Sequence, residues 1–263
     1  MKNVTLKINN TPVTVPEGTR ILDAARQAGF DIPTLCYLKD LTNEGSCRMC
    51  VVEVKGARSL VASCVGTVSE GMEVFTNTPK VIASRKTTLE LMLSNHNKDC
   101  LSCVRSTNCE LQKLSLEYGC DDNDFAGEHS HVTVEALNPY LIRDNSKCIL
   151  CRRCVAMCSK VQSVGVIGPN RRGFNTEIGC AFERNLGDVD CVACGQCIKV
   201  CPTGALREVD DTDKVVAALN DPEKYVIFGT APSVRVALGE EFGMPIGTDT
   251  EGKMVAAVRR LGP

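Results

Sequence analysis

Two stretches constrain this 263-residue chain more than anything else in it: residues 148–158 read CILCRRCVAMC and residues 191–201 read CVACGQCIKVC. Both have the spacing C-x2-C-x2-C-x3-C, so the chain carries an internal repeat whose fixed points are thiols. They belong to a set of seventeen cysteines, while tryptophan is absent and aromatics make up only 4 % of residues. Small modules pinned by cross-links or metals are therefore expected in place of one large aromatic core. The start, MKNVTLKINN, alternates polar and apolar residues without an apolar signal core. No apolar run approaches the roughly 20 residues that span a bilayer. A cytoplasmic chain is the expectation, and there dense cysteines read as metal ligands rather than disulfides. The formal net charge is −2 and no basic stripe appears, which argues against nucleic acid as a partner.

Along the chain, residues 1–78 read as a small β-rich domain. Val4 to Ile8 and Val13 to Val15 alternate around an Asn9-Asn10 turn, a hairpin signal. Thr19 is placed to cap a helix with Ile21, Leu22, Ala25 and Ala28 on one face, closed by Gly29. Val51 to Val54, Ser59 to Ala62 and Met72 to Thr76 read as further strands. Thr78-Pro79 opens a long helix that runs to about Asn95, with proline at its first position. A second domain spans 79–120, a polar, acidic linker 121–137, and a third domain 138–210. From 221 the pattern becomes α/β: a buried-type strand at Tyr225 to Phe228 and helices at 233–242 and from Glu251 to Leu261.

The cysteines sort into four sites. In the two long runs the spacing is that of two-cluster ferredoxins, where the fourth cysteine of each run ligates the other cluster. Cys148, Cys151 and Cys154 are thus expected to bind one [4Fe–4S] cluster with Cys201, and Cys191, Cys194 and Cys197 another with Cys158. Ser159 stands where proline is usual after such a run, whereas Cys201-Pro202 keeps it; that proline shapes a turn and is no ligand. A further set, Cys36, Cys47, Cys50 and Cys64, is spaced C-x10-C-x2-C-x13-C. It keeps the central C-x2-C of the plant-type [2Fe–2S] run and lengthens the first gap. Thiolates are soft ligands and suit iron, while a four-cysteine zinc site favours two separated short pairs. The last set, His96, Cys100, Cys103 and Cys109, is spaced H-x3-C-x2-C-x5-C, and spacing alone does not choose there between zinc and a cluster. Cys120 and Cys180 remain, expected as buried thiols, and His129 and His131 fall in the polar linker.

This succession of sites resembles the N-terminal electron-transfer region of the large iron–iron hydrogenases of the NAD(P)-linked or electron-bifurcating type. It is also similar to the start of the large iron–sulfur subunit of respiratory complex I and of some NAD-dependent formate dehydrogenases. The resemblance implies an α+β multidomain chain. Its parts would be a β-grasp [2Fe–2S] ferredoxin-like domain, a small helical domain with one histidine and three cysteines, a two-[4Fe–4S] bacterial ferredoxin-like domain, and the truncated start of an α/β domain at 221–263. It implies a [4Fe–4S] cluster at His96, Cys100, Cys103 and Cys109, hence one [2Fe–2S] and three [4Fe–4S] clusters. Residues 225–239, YVIFGTAPSVRVALG, closely resemble the opening strand, turn and helix of the hydrogenase active-site domain. There Ala231, Pro232 and Ser233 would line the catalytic H-cluster. No cysteine follows Cys201, so that cluster's ligands are expected only beyond Pro263.

The resemblance further implies an oxidoreductase subunit that relays electrons between a flavin- or NAD(P)H-linked partner, or ferredoxin, and a catalytic cluster interconverting protons and dihydrogen, within a hetero-oligomer. Rival readings are the wire of a complex I-like or formate dehydrogenase subunit, a stand-alone polyferredoxin, and a zinc-scaffolded interaction module.

Overall fold

The structure, a computed structural model, describes residues 2–120, 125, 127–130, 134–135 and 138–261. It divides into two compact units, Met1–Val209 and Asp210–Pro263.

The first unit opens with a five-stranded sheet in the order β2-β1-β5-β3-β4. Strands β1 (Asn3–Ile8) and β2 (Thr11–Pro16) form the expected hairpin, with Val4 opposite Val15 and Leu6 opposite Val13 on the buried face. Asn9 and Asn10 both take positive φ, the conformation a tight two-residue hairpin needs and asparagine tolerates. Helix α1 (Ile21–Gln27) lays Ile21, Leu22, Ala24 and Ala25 on that face. Its N-cap is Arg20, not Thr19: the Thr19 hydroxyl bonds back to Pro16 O at 2.7 Å and is spent on the preceding turn. Strands β3 (Val51–Val54), β4 (Val61–Ala62) and β5 (Glu73–Phe75) complete the sheet; β5 runs parallel to β1 and antiparallel to β3.

Helix α2 (Pro79–Ser94) begins as its sequence dictates, with the Thr78 hydroxyl accepting from Val81 N at 3.3 Å. Buried Arg85 ties it to the sheet by donating to Val51 O and to Tyr118 Oη. The short α3 (Glu110–Glu117) was not apparent from the sequence. Two residues inside the expected linker form β6 (Val134–Glu135), which pairs with β7 (Leu141–Asp144). His129 is exposed, and His131 lies outside the described residues.

The third part carries the repeat. Helix α4 (Arg153–Ala156) follows the first C-x2-C, hairpin β8 (Gly168–Asn170) and β9 (Glu177–Gly179) lies between the runs, α5 (Gln196–Lys199) follows the second C-x2-C, and β10 (Leu206–Glu208) pairs with β7. The two runs thus sit between paired strands that bring their ends together.

The second unit holds α6 (Thr212–Leu219), α7 (Val234–Glu241) and α8 (Glu251–Arg259). The strand expected at Tyr225 to Phe228 is not formed; Tyr225 is 91 % exposed. A strand exists only by pairing, and none of the described residues offers this segment a ladder partner. The two helices expected beyond it are present, and Met254 of α8 is buried. Among the described residues no helix is long and apolar enough to cross a membrane.

Candidate iron–sulfur sites

Cys36 and Cys47 lie in the long connection between α1 and β3, Cys50 immediately before β3 and Cys64 just after β4; all four are buried. The Sγ atoms of Cys50 and Cys64 are 3.3 Å apart. That is far longer than the about 2.05 Å of a disulfide. It is close to the about 3.8 Å between two sulfurs on one tetrahedral metal with bonds near 2.3 Å. Hydrogen bonds from Cys47 and Cys64 hold the Cys36 thiol well below its usual range, and that from Cys64 brings Cys50 to about 6. The same contacts push Cys47 and Cys64 up. Two fully buried hydroxyls brace the loops. Thr42 donates to Cys36 O at 2.6 Å, and Ser63 to Cys50 O at 2.7 Å. Neither was singled out from the sequence, because an isolated Ser or Thr in a loop carries no local signal of burial.

His96 sits just past the end of α2, Cys100 and Cys103 in the following loop, and Cys109 at the N-cap of α3. The three cysteines are electrostatic neighbours, and burial raises Cys109. The charges nearest His96 are Lys147 and Asp144, and burial lowers its pKa to about 4. Its Nδ1 is buried with no hydrogen-bond partner. A buried nitrogen of that kind carries a desolvation cost that a metal bond would remove, so this donor set fits a metal centre. The loop docks on the third part of the unit: Asn97 N donates to Ser146 O and Glu110 N to Pro202 O.

All eight cysteines of the two long runs line one cavity. Buried Leu141, Ile167, Ile178 and Leu206 form its apolar wall, while Cys194 is exposed. Cys154 has Cys197 of the second run among its electrostatic neighbours. Cys148, Cys151 and Cys154 each have Cys201 among their electrostatic neighbours, while Cys197 has Cys194, Cys191 and Cys158. Burial pushes Cys148 and Cys197 to about 11 and Cys151 to about 12. Such thiols keep their protons until a soft metal displaces them, so loading releases protons. The repeat extends to the backbone. Leu150 and Arg152 flank Cys151 with positive φ, as Ala193 and Gly195 flank Cys194. A left-handed residue there turns a backbone N–H toward the preceding sulfur, and Leu150 N lies 3.4 Å from Cys148 Sγ. Arg153, between two of the cysteines and 5 % exposed, makes a two-pronged bond to Glu110 of α3 at 2.7 and 2.9 Å.

The sites are not beads on a string. Cys36 and Cys47, Cys109, and Cys151 share one apolar cluster with Leu35, Met49 and Leu89. Cys120 packs at its margin and is only half-buried, whereas Cys180 is fully buried beside Arg143. Among the described residues no three donors crowd tightly enough to grip a single ion. A cluster's thiolates bind separate irons and stand around an inorganic core.

Comparison with known proteins bears on these sites directly. Residues 1–79 match the 2Fe-2S iron-sulfur cluster binding domain. Residues 85–124 match the NADH-ubiquinone oxidoreductase-G iron-sulfur binding region, and 147–205 the 4Fe-4S dicluster domain. Residues 224–263 match the C-terminal domain of the iron only hydrogenase large subunit. The NADP-reducing hydrogenase subunit HndD of Solidesulfovibrio fructosivorans is 49 % identical over 100 % of this chain and 46 % of its own length. Over its full length the chain is similar to members of the iron hydrogenase large-subunit family. Iron hydrogenase 1 of Clostridium pasteurianum, another member, is 38 % identical over 98 % of the chain and 45 % of its own length. The chain thus spans about half the length of these hydrogenase relatives. Outside the family, the NADH-ubiquinone oxidoreductase 75 kDa subunit of Reclinomonas americana is 36 % identical over 77 % of the chain and 29 % of its own length. A crystal structure of an NAD+-reducing [NiFe]-hydrogenase superposes with a TM-score of 0.72 at 30 % identity, over 78 % of this chain and 87 % of that one. The chain is a multidomain α+β iron–sulfur protein with 2Fe-2S and 4Fe-4S cluster-binding domains.

Proposed function

We propose that this chain relays single electrons within an iron–iron hydrogenase, and that four cluster sites do so. Cys36, Cys47, Cys50 and Cys64 would hold a [2Fe–2S] cluster in a β-grasp domain at 1–78. His96, Cys100, Cys103 and Cys109 would hold a [4Fe–4S] cluster at 79–120. Within 138–210, Cys148, Cys151, Cys154 and Cys201 would hold a second [4Fe–4S] cluster, and Cys158, Cys191, Cys194 and Cys197 a third. When bound, these clusters supply one-electron redox chemistry near neutral pH.

The observation that carries the reading is the single apolar cavity lined by all eight cysteines of the two runs. The chain's own part is to bind, orient and exclude water. Leu141, Ile167, Ile178 and Leu206 give the cavity an apolar wall. Leu150 N and its repeat-related counterparts direct backbone dipoles at them, which tunes potential without a titrating group. Thr42 and Ser63 fix the loops of the first site. The shared apolar cluster around Cys36, Cys109 and Cys151 keeps three sites near one another, as a relay requires. No side chain acts as acid, base or nucleophile.

A catalytic cluster would stand against the region 221–263, with Ala231, Pro232 and Ser233 along it. Ser233 is at the N-cap of α7, yet its hydroxyl makes no capping bond, which leaves it available to such a ligand. The family match at 224–263 favours a hydrogenase over an NADH dehydrogenase wire, since the dehydrogenase relative aligns with only 77 % of the chain. The partners would be flavin-bearing NAD(P)H dehydrogenase-type subunits, as the name of the NADP-reducing relative implies, or ferredoxin.

Anaerobic purification followed by iron and sulfide analysis tests the reading. About 14 irons per chain are expected, from one [2Fe–2S] and three [4Fe–4S] clusters. Colourless protein, or zinc in place of iron, refutes it. Dihydrogen-dependent reduction of a viologen dye by the intact complex tests the hydrogenase assignment separately.

A further inference from the structure

Among the places where the loop that carries His96, Cys100, Cys103 and Cys109 meets the long cysteine runs is the segment Ile198 to Gly204. Cys109 Sγ lies 3.6 Å from Pro202 O, and Glu110 N donates to the same oxygen. Arg105 Nη2 donates to the carbonyls of Ile198 and Cys201 at 3.0 and 3.1 Å, clamping the loop onto that turn. Thr203, 1 % exposed, donates to Lys147 O and so fastens the turn to the residue before Cys148. Gly204 is the closest approach. A Cβ built on it would collide with Cys103 Sγ, so the sulfur or the turn would have to shift. Its φ lies outside the left-handed region, so the backbone there does not itself demand glycine. What excludes a side chain is the sulfur.

We propose that Gly204 is a positioning residue that lets the Cys103 sulfur touch the main chain leading to Cys201, and that this contact is the coupling point between those two cluster sites. The inference rests on the relay function above. Covalent bonds connect Gly204 to Cys201 through Thr203 and Pro202, so one non-bonded step joins a ligand of one site to a ligand of the other. With [4Fe–4S] clusters held at both sites, the exchange it would serve moves one electron from one to the other, with no proton or bond changed. Arg105 acts with it, holding the loop at that distance. Nothing local in the sequence marks either residue, because the contact joins positions about a hundred apart.

The test uses the cluster-loaded full chain, purified anaerobically, with Gly204→Ala, Arg105→Ala and, as a control, Gly168→Ala, whose Cβ meets nothing within 4 Å. Iron per chain and the [2Fe–2S] electron paramagnetic resonance signal report that the sites are filled. Magnetic splitting between the two reduced [4Fe–4S] sites reports their coupling. Loss of that splitting in Gly204→Ala with full iron content, a partial loss in Arg105→Ala and none in Gly168→Ala support the proposal. If Gly204→Ala does not fold or load, Arg105→Ala, which adds no atoms, decides alone. Splitting that persists unchanged in a fully loaded Arg105→Ala, or in a loaded Gly204→Ala, overturns it. A wild-type chain without iron at either site would instead refute the relay function.

Discussion

His96 makes acid the informative perturbation. Its imidazole is desolvated and faces the Lys147 ammonium, with Asp144 pulling weakly the other way, so its pKa falls from 6.5 to about 4. The folded chain therefore holds the ring neutral, the form that ligates metal. A base with a depressed folded pKa leaves stability intact above its unfolded value and withdraws it as pH falls toward the folded one. The window here runs from about pH 6.5 down to about pH 4. At about pH 4.5 the unfolded imidazole is almost fully protonated and the folded one mostly not. The penalty is then about 2.5 kcal/mol, or about 70-fold in a local opening equilibrium. Iron on the ring competes with the same proton, so the loaded protein loses at least this much. Hydrogen exchange of the backbone amides of residues 93–109, at about pH 7 and about pH 4.5 and corrected for intrinsic rates, reads that equilibrium directly. Wild-type protein is expected to lose about 70-fold more protection on acidification than His96→Asn, which cannot titrate. An equal loss in both would refute the argument, showing that another group governs the segment.

Three further outcomes follow from the geometry. Cys201→Ser is expected to abolish the cluster shared with Cys148, Cys151 and Cys154 while the Cys191-side signal survives; resonance spectra that lose the other cluster would contradict the interleaving. Glu110→Gln leaves the buried Arg153 guanidinium without its carboxylate. Because Glu110 is about half exposed, the expected cost is about 1.5–3 kcal/mol, measured as lost exchange protection in α3 and α4. Cys180→Ala is expected to retain full iron content, since Cys180 packs beside Arg143 and does not line the cavity of the eight cysteines; missing iron in that variant would make it a ligand.

Local signals carried much of this architecture. Asn9-Asn10 and Thr78-Pro79 predict a hairpin and a helix start because the turn and the cap are made by neighbours in sequence, and both are found. The two long cysteine runs stood out because each packs four thiols into eleven residues. Where tertiary structure decides, the reading failed. Tyr225 to Phe228 has strand composition, but pairing belongs to two segments and not one. Thr19 looks like a cap, yet its hydroxyl is taken by Pro16 O. Helix α3 is too short for its periodicity to stand out, and its Glu110 acquires a role only through Arg153, 43 residues on. Arg105 and Gly204 matter through distant partners, which no window along the chain contains.

If Cys158 and Cys201 cross to opposite halves of the repeat as proposed, that bears on how such a protein is made. Neither run would then possess a full set of donors, so a ribosome that has delivered only residues up to 190 would have completed neither nest of the repeat. Insertion must wait for the second run, and the cell's metallation machinery therefore meets an all-or-nothing client. An intermediate with one nest filled and the other unformed has no place on that route.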